Sequence, residues 1–323
     1  MTATNEQLAA DAPLALPDVR ANGRIGVVLV NYRGWRDTLE CIGSLQAVQY
    51  ERGLDVIVVD NGSGDESCER IRTAFPNVHL LEMGRNLGFA GGCNVGMRAA
   101  RERGNEFIWL LNNDTLVDPQ AACALVDATR THPDASFYGA IISFESRPER
   151  IWFARGTFDR RTGAINNIDY NRPVSELDGY SHAVNTDWVS GCSMLIRCST
   201  LDDIGFMNED FFLYMEELEW QLRRPHSAYL APRALVRHKA SRSTGGTQVS
   251  LGRVFMSRNF LKLARRYAGK YLPLWLCRWV VSYVVGPALK GRLRLAWAGL
   301  AGIAEQRTPG ASIVERWRRE TIK

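Results

Sequence analysis

Residues 107–115 read FIWLLNNDT: five apolar residues run into two amides and a carboxylate, with no Gly or Pro between them. A short unbroken apolar run of this kind is the pattern of a strand buried on both faces. Asn and Asp at its end also suit an ordinary turn, so the neighbouring sequence has to decide between turn and site. Toward the N-terminus, NVHLLEM (77–83), LDVIVVD (54–60) and IGVVLVN (25–31) repeat the apolar run. Helical spacing fills the intervals: Leu39, Ile42, Leu45 and Val48 within 36–49, a segment over 66–75, and the Gly-rich NLGFAGGCNVGMRAARERG of 86–104. Short apolar strands alternating with helices predict an α/β domain with a doubly wound, mostly parallel sheet. Such sheets bind ligands beyond the carboxyl ends of their strands. There the chain places Asn31 and Tyr32, Asp60 and Asn61, and Asn112, Asn113 and Asp114. One polar strand end is a turn; several on one edge make a pocket.

Composition bounds the rest. A chain of 323 residues, 46% hydrophobic and 23% charged, is that of a globular protein with room for one large domain or two ordinary ones. Its net charge of +5 is unevenly spread: residues 1–250 carry 25 Lys/Arg against 32 Asp/Glu, a net −7, and residues 251–323 carry 15 against 3, a net +12. The same tail holds Trp275, Trp279, Trp297 and Trp317. Basic and aromatic residues together point to an anionic lipid surface or another acidic partner. No nucleic-acid module accompanies the charge, so no nucleic-acid partner is expected. The seven cysteines form no CxxC pair, which favours a reducing cytoplasm over a zinc or disulfide framework. Residues 1–23 read as a flexible leader without the basic-then-apolar pattern of a signal peptide. The longest apolar run, Leu272–Leu289, is interrupted by Arg278 and contains Pro273 and Pro287. It is marginal as a membrane span and reads as an interfacial or buried helix.

Seven segments in order, VVLVNYRG, VIVVDNGSGD, NLGFAGGCNVGM, LLNNDT, WVSGCSMLIR, FFLYMEELEWQLR and VRHKASRST, make the chain from Ile25 to Thr244 resemble the inverting family-2 glycosyltransferases of the GT-A fold. The resemblance implies a nucleotide-sugar glycosyltransferase domain over 24–245, a Rossmann-like sheet flanked by helices, and a basic, aromatic helical extension over 250–323. It also implies a set of roles. Asp60 would accept the imide N–H of uracil or thymine through a charge-assisted bond, against the alternative of capping the next helix. Gly88, Gly91 and Gly92 would let the backbone approach the donor, with Asn31, Tyr32, Asn86 and Asn94 adding polar contacts. Trp188 would be a sugar-facing platform, or equally a core Trp.

The leaving diphosphate needs its charge neutralised by a hard divalent cation, Mg²⁺ or Mn²⁺. The resemblance puts Asn112-Asn113-Asp114 where relatives carry Asp-X-Asp, so Asp114 is the implied metal ligand, and Asn112 would reach the ribose or a metal-bound water. His238 would reach back to the metal or diphosphate, with Lys239, Arg242, Ser243 and Thr244 as a mobile basic loop over the phosphates. By position in its acidic pair Glu217 is the implied general base and Glu216 the runner-up; helical spacing sets Glu216 and Glu219 on one face and Glu217 elsewhere. The implied reaction is a single displacement with inversion. It moves L-rhamnose from dTDP-rhamnose to a saccharide or lipid-linked saccharide in cell-surface polysaccharide synthesis. A UDP-sugar donor is the alternative, and a nucleotidyltransferase-like protein a more distant one, since only Arg33 and Gly34 follow the first strand where that class needs a Gly-rich basic motif. The expected location is cytoplasmic, peripheral on the inner face of the plasma membrane, with a homodimer left open.

Overall fold

Strand β1 (Ile25–Asn31) is apolar throughout because both of its faces are covered: Ile25, Val27 and Leu29 enter one core cluster and Val28 another. Strand β4 (Phe107–Asn112) divides the same way, Phe107, Trp109 and Leu111 to one side and Ile108 and Leu110 to the other. This is the period-two alternation of a strand between two helical layers. The computed structural model describes residues 23–177, 179–180, 182–239 and 247–321. Residues 1–22 of the expected leader, and Arg242, Ser243 and Thr244 of the expected basic loop, lie outside the described residues.

Between β1 and β4 come α1 (Trp35–Gln46), β2 (Leu54–Asp60), α2 (Ser67–Ala74), β3 (His79–Glu82) and α3 (Gly88–Glu102). After β4 come β5 (Thr115–Val117), α4 (Ala121–Thr131), β6 (Phe137–Phe144), β7 (Arg147–Phe153), a hairpin of β8 (Gly156–Asp159) and β9 (Ala164–Asn167), β10 (Val184–Thr186), β11 (Ser193–Arg197), α5 (Thr200–Ile204), α6 (Glu216–Leu222) and β12 (Ala228–His238). The main sheet has the order β10-β12-β6-β11-β4-β1-β2-β3, with β5 on β12 and β7 on β6. Its β4-β1-β2-β3 half is parallel, and the register sets Asn31 opposite Asp60, Asp60 opposite Glu82, and Val30 opposite Asn112. The carboxyl ends of four strands are therefore level. Strand β11 enters antiparallel beside β4, and β12 returns parallel to β6.

One sequence expectation changes here. The Gly-rich segment is not an open loop facing a ligand but the start of α3. A Cβ on Gly92 would sit 2.8 Å from Val30 Cγ1, on Gly96 2.2 Å from Val28 Cγ1, and on Gly91 2.7 Å from Leu87 Cβ. Gly92 and Gly96 thus let α3 lie close on β1. Gly88 alone of these has a left-handed φ, +78°, and a Cβ there would meet the Phe212 carbonyl oxygen at 2.4 Å.

The C-terminal segment, α7 (Thr247–Tyr267), α8 (Leu272–Val280), α9 (Gly286–Leu289), α10 (Leu293–Ala304) and α11 (Gly310–Thr321), shares its core with the sheet domain. Phe260, Leu263, Trp275, Trp279 and Tyr283 pack with Phe158, Phe211, Leu218 and Leu222, and Val254, Phe255, Ala298 and Ile313 pack with Phe212. The helical run Gly269–Leu289, 21 residues, is long and apolar enough by length and composition to cross a membrane. Trp275, Trp279 and Tyr283, four residues apart, are nevertheless buried against the domain, while Leu274, Val281, Val285 and Leu289 are exposed. One stripe of this helix belongs to the protein core and the opposite stripe is bare.

Candidate active site

The level strand ends bring Asn31 and Asp60 together. Asn31 is fully buried. Its Nδ2 donates to Asp60 Oδ2 at 2.7 Å and to Ser63 Oγ at 3.1 Å, and its Oδ1 accepts from Thr38 Oγ1 at 2.9 Å. The amide is consumed in tying β1, β2 and α1 together. Asp60, 3% exposed, also accepts from Ser63 Oγ at 2.6 Å and the Ser63 backbone N–H at 3.0 Å. Of roughly four acceptor positions on a carboxylate, the Asn31 amide and Ser63 occupy three. Ser63, passed over in the sequence, shapes this carboxylate. Tyr32 is half-buried beside the Arg33 guanidinium.

Asn61 joins the neighbouring turn: its Nδ2 donates to the Gly88 carbonyl at 2.9 Å and its Oδ1 accepts from Leu87 N–H at 2.9 Å. Asn86 Oδ1 accepts from Gly88 N–H at 2.8 Å, closing the same turn. Asn94 departs from its expected role. It is 1% exposed, and its amide is spent on the Met207 backbone, at 2.9 and 3.0 Å, and on Glu209 Oε1 at 2.9 Å. It is a strut between α3 and residues 207–209.

Beyond β4 the three polar residues separate. Asn113 Nδ2 donates to Thr38 Oγ1 at 2.9 Å, turning toward α1. Asn112 is half-buried beside Cys192, whose carbonyl accepts its backbone N–H at 2.9 Å. Asp114 faces His238 at the end of β12, with Oδ1 3.0 Å from Nε2. His238 is 6% exposed, its Nδ1 has no partner, and the Trp152 ring meets its own edge-on at 4.5 Å. Lys239 leaves the phosphate role expected of it: its Nζ donates to Asp37 and Glu40 on α1, both at 2.7 Å. Trp188 packs against Phe153 and has a buried indole N–H without a partner. Trp152 was not legible beforehand, because only the return of β7 beside β6 brings residue 152 to His238.

The three acids of α6 divide differently from the helical-face expectation. Glu219 is fully buried and committed, to Arg223 at 2.5 Å, Arg266 at 3.2 Å and the Tyr267 hydroxyl at 2.9 Å. Glu216 and Glu217 each keep a buried Oε2 without a partner. Burial, then the charge of Glu217, pushes the Glu216 carboxyl well above the ordinary range. Burial also raises Glu217, opposed by the backbone N–H groups of Glu217, Leu218 and Gly191. The pair sharing an environment is therefore Glu216 and Glu217.

Gln221 fixes this placement, donating to the Val189 carbonyl and accepting the Val189 N–H, both at 2.8 Å, so that residues 189–192 run alongside α6. Burial holds the Cys192 thiol well above its ordinary pKa, and the charges of Asp114, Cys41 and Glu217 add to it. A Cβ on Gly191 would lie 3.5 Å from Glu217 Cβ, and the next carbonyl, of Cys192, accepts the Asn112 N–H, so residues 191–192 link the acidic helix to the end of β4. Of eleven buried polar side-chain atoms without partners among the described residues, four, on Trp188, Glu216, Glu217 and His238, belong to this edge. Unsatisfied buried groups are rare where structure alone is at stake.

Among the described residues no group of three or more His, Cys, Asp and Glu side chains is gathered to hold a metal. Asp114 and His238 do fit a hard divalent cation that takes one or two protein ligands and completes its shell with diphosphate oxygens and water.

The family described as Glycosyl transferase family 2 matches residues 26–205, more than half of the chain. An N-acetylglucosaminyl-diphospho-decaprenol L-rhamnosyltransferase of Mycobacterium tuberculosis is 27% identical over 263 residues, 75% of this chain and 85% of the relative. A low-salt glycan biosynthesis hexosyltransferase of Haloferax volcanii is 26% identical over 202 residues, 62% of this chain and 61% of the relative. Among solved structures, GalNAc-T7 with UDP, GalNAc and Mn²⁺ matches with a TM-score of 0.55 at 13% identity, over 83% of this chain and 57% of that one. A Pyrobaculum calidifontis mannosyltransferase in complex with GDP-Man and Mn²⁺ matches with a TM-score of 0.54 at 16% identity, over 95% and 83%. These two likenesses show the fold, GT-A. With the level strand ends and the unpartnered acids beside them, the family match settles the class of the protein: the chain belongs to glycosyl transferase family 2.

Proposed function

We propose that the protein is an inverting, metal-dependent rhamnosyltransferase that uses dTDP-rhamnose. The proposal rests on the buried Glu216–Glu217 pair, which residues 191–192 link to the end of β4, where Asp114 faces His238. Asp114 and His238 would hold Mg²⁺ or Mn²⁺. When bound, such a cation neutralises charge on the departing diphosphate. Asp60 receives the imide N–H of the base, and Tyr32, Asn112, Asn113 and Trp188 border the ribose and sugar. Glu217 takes the proton of the acceptor hydroxyl, its raised pKa bringing it toward the working pH of a general base. Attack on the face of the anomeric carbon opposite the diphosphate inverts its configuration.

The mycobacterial relative supports rhamnose as the sugar and a lipid-linked saccharide as the acceptor. A lipid-linked acceptor calls for contact with a bilayer. The exposed stripe of Leu274, Val281, Val285, Leu289, Leu293 and Trp297, beside exposed Lys290, Arg292 and Arg294, suits the headgroup level of an anionic membrane. The test is a transfer assay with Mn²⁺ and a polyprenyl-diphosphate-linked N-acetylglucosamine, offering dTDP-rhamnose, UDP-galactose and GDP-mannose in parallel. Transfer from dTDP-rhamnose with inverted anomeric configuration is expected. Transfer from UDP-galactose or GDP-mannose alone would move the donor assignment, and a retained configuration would remove Glu217 from its role.

A further inference from the structure

The turn that delivers Glu216 and Glu217 is held in a conformation its own sequence does not favour. Phe212, Tyr214 and Met215 have φ of 65°, 68° and 67°, and none of them is glycine. Left-handed backbone is unfavourable for a residue with a Cβ and persists only where its surroundings over-determine it. The surroundings here come from α7. Asn259 is fully buried, and its Nδ2 lies 2.9 Å from the Phe211 carbonyl, 2.9 Å from that of Leu213 and 2.7 Å from that of Tyr214, its two hydrogens shared among the three. Arg258, 2% exposed, donates to the Asp210 carbonyl at 2.8 Å and to Asn259 Oδ1 at 3.1 Å, which fixes the Asn259 amide with its donors toward the turn. Its other nitrogens reach the carbonyls of Glu305 at 2.9 Å and Thr308 at 3.0 Å. A guanidinium buried in the company of backbone carbonyls carries a desolvation cost that only its geometry repays.

We infer that Arg258 and Asn259 are positioning residues for the reaction: from the C-terminal helices they clamp residues 210–215 and so set the carboxylates of Glu216 and Glu217. The inference rests on the reading of that pair as the basic site. The helices on which the chain continues past 245 thereby complete the active site from behind. The Phe212 ring stacks on Phe255 of α7 at 5.3 Å, and the Phe212 carbonyl accepts the Phe89 N–H of α3 at 2.6 Å, so the turn is held from two sides. Without the Asn259 donors the Leu213 and Tyr214 carbonyls lose the bond to α7 and the Phe211 carbonyl keeps only the Leu213 N–H, so the left-handed stretch through Phe212, Tyr214 and Met215 loses its hold on α7.

The test compares Asn259→Leu, which keeps side-chain volume and removes the donors, with Ser257→Ala, which removes the α7 bonds to the Gly299 carbonyl and from the Trp279 indole and none to the turn. Both are assayed in the full chain with Mn²⁺ and whichever of dTDP-rhamnose, UDP-galactose and GDP-mannose turns over, at a temperature where melting curves show both folded. Asn259→Leu is expected to lose roughly 10–100-fold in kcat, the scale of a displaced catalytic group. KM for the donor should stay within about 3-fold of wild type, since uniform binding is untouched, and the acidic limb of the kcat–pH profile should move. Ser257→Ala should lower the melting temperature and leave kcat and the profile in place. Equal effects of the two variants, or an Asn259→Leu profile that superimposes on wild type, would overturn the clamp. If Glu216→Gln and Glu217→Gln both retain full turnover, the carboxylate reading fails instead. A chain that turns over none of the three donors overturns that reading and the clamp with it.

Discussion

His238 Nε2 lies 3.0 Å from Asp114 Oδ1 although 124 residues separate them in the chain. The pairing follows from β12 running back beside β5, with His238 in register with Thr115, the residue after Asp114. Trp152 covers the imidazole edge-on, which fixes the ring plane and leaves Nδ1 buried without a partner. A carboxylate and an imidazole this close can share a proton or share a cation.

If they share a cation, Asp114→Ala should reduce kcat by about 10²–10³ or more, the scale of losing one electrostatic contact to developing charge. It should also weaken Mn²⁺ binding followed by electron paramagnetic resonance in the presence of dTDP. His238→Ala should weaken the same binding. Undiminished turnover of the wild type in excess EDTA would remove the metal from both residues.

Glu217→Gln keeps size and hydrogen-bonding shape and removes the proton acceptor. Turnover should fall by roughly 10²–10⁴, with donor affinity retained. Glu216→Gln should cost less, because burial and not the Glu216 charge raises the Glu217 carboxyl, so the base survives the substitution. A larger loss in Glu216→Gln than in Glu217→Gln would exchange the two roles.

Glu216 also predicts a pH dependence of stability. Burial, with the Glu217 charge behind it, raises its pKa in the folded state. Between the unfolded and folded values the native protein holds a proton that the unfolded chain has released, so this group's contribution to stability falls as pH rises through that window. Below the unfolded value both states are protonated and the contribution is constant. Glu216→Gln should therefore be more stable than wild type at about pH 8 and converge with it toward about pH 4. Urea unfolding across that range checks the sign. A difference independent of pH would mean that Glu216 is not buried in its charged form.

Much of the sheet was legible in the sequence because a strand covered on both faces has to be apolar throughout: IGVVLVN and LDVIVVD coincide with β1 and β2 to the residue. The polar strand ends were equally visible, but not their partners. That Asn31 is a strut, that Asn94 reaches back to Met207, and that Lys239 prefers Asp37 and Glu40 all depend on contacts distant in sequence. The glycines of α3 misled for a local reason. A Gly that admits a ligand and a Gly that admits a strand look alike until the helix axis is known.

That distinction is testable at Gly96, where an added Cβ would stand 2.2 Å from Val28 Cγ1. Gly96→Ala should lower stability by about 1–3 kcal/mol, the usual cost of overpacking, even though alanine is the better helix former. A stabilised variant would show that α3 can lift from β1 at no cost.

The C-terminal helices carry a bare apolar stripe. Among the described residues thirteen large hydrophobic side chains are markedly exposed, and ten of them, from Leu274 to Ile303, lie in this one stretch. A water-facing surface does not concentrate apolar side chains in this way, and a membrane-crossing helix would not bury Trp275, Trp279 and Tyr283 in the core of a sheet domain. A monotopic contact accounts for both stripes. Lys290, Arg292 and Arg294 stand exposed between Leu289 and Trp297, where anionic headgroups would meet them, each basic residue adding about 1 kcal/mol at the surface. The full chain should therefore co-sediment with phosphatidylglycerol-containing vesicles and less with neutral ones, and added salt should weaken the binding. Because α7 is built into the domain core, removing 251–323 would confound folding with binding; the paired substitution Leu289→Glu with Trp297→Glu alters only exposed positions. It should abolish sedimentation while leaving the melting temperature within a few degrees. Sedimentation unchanged in that variant, with wild type eluting as a dimer and the variant as a monomer, would identify the stripe as an interface between two copies of the chain.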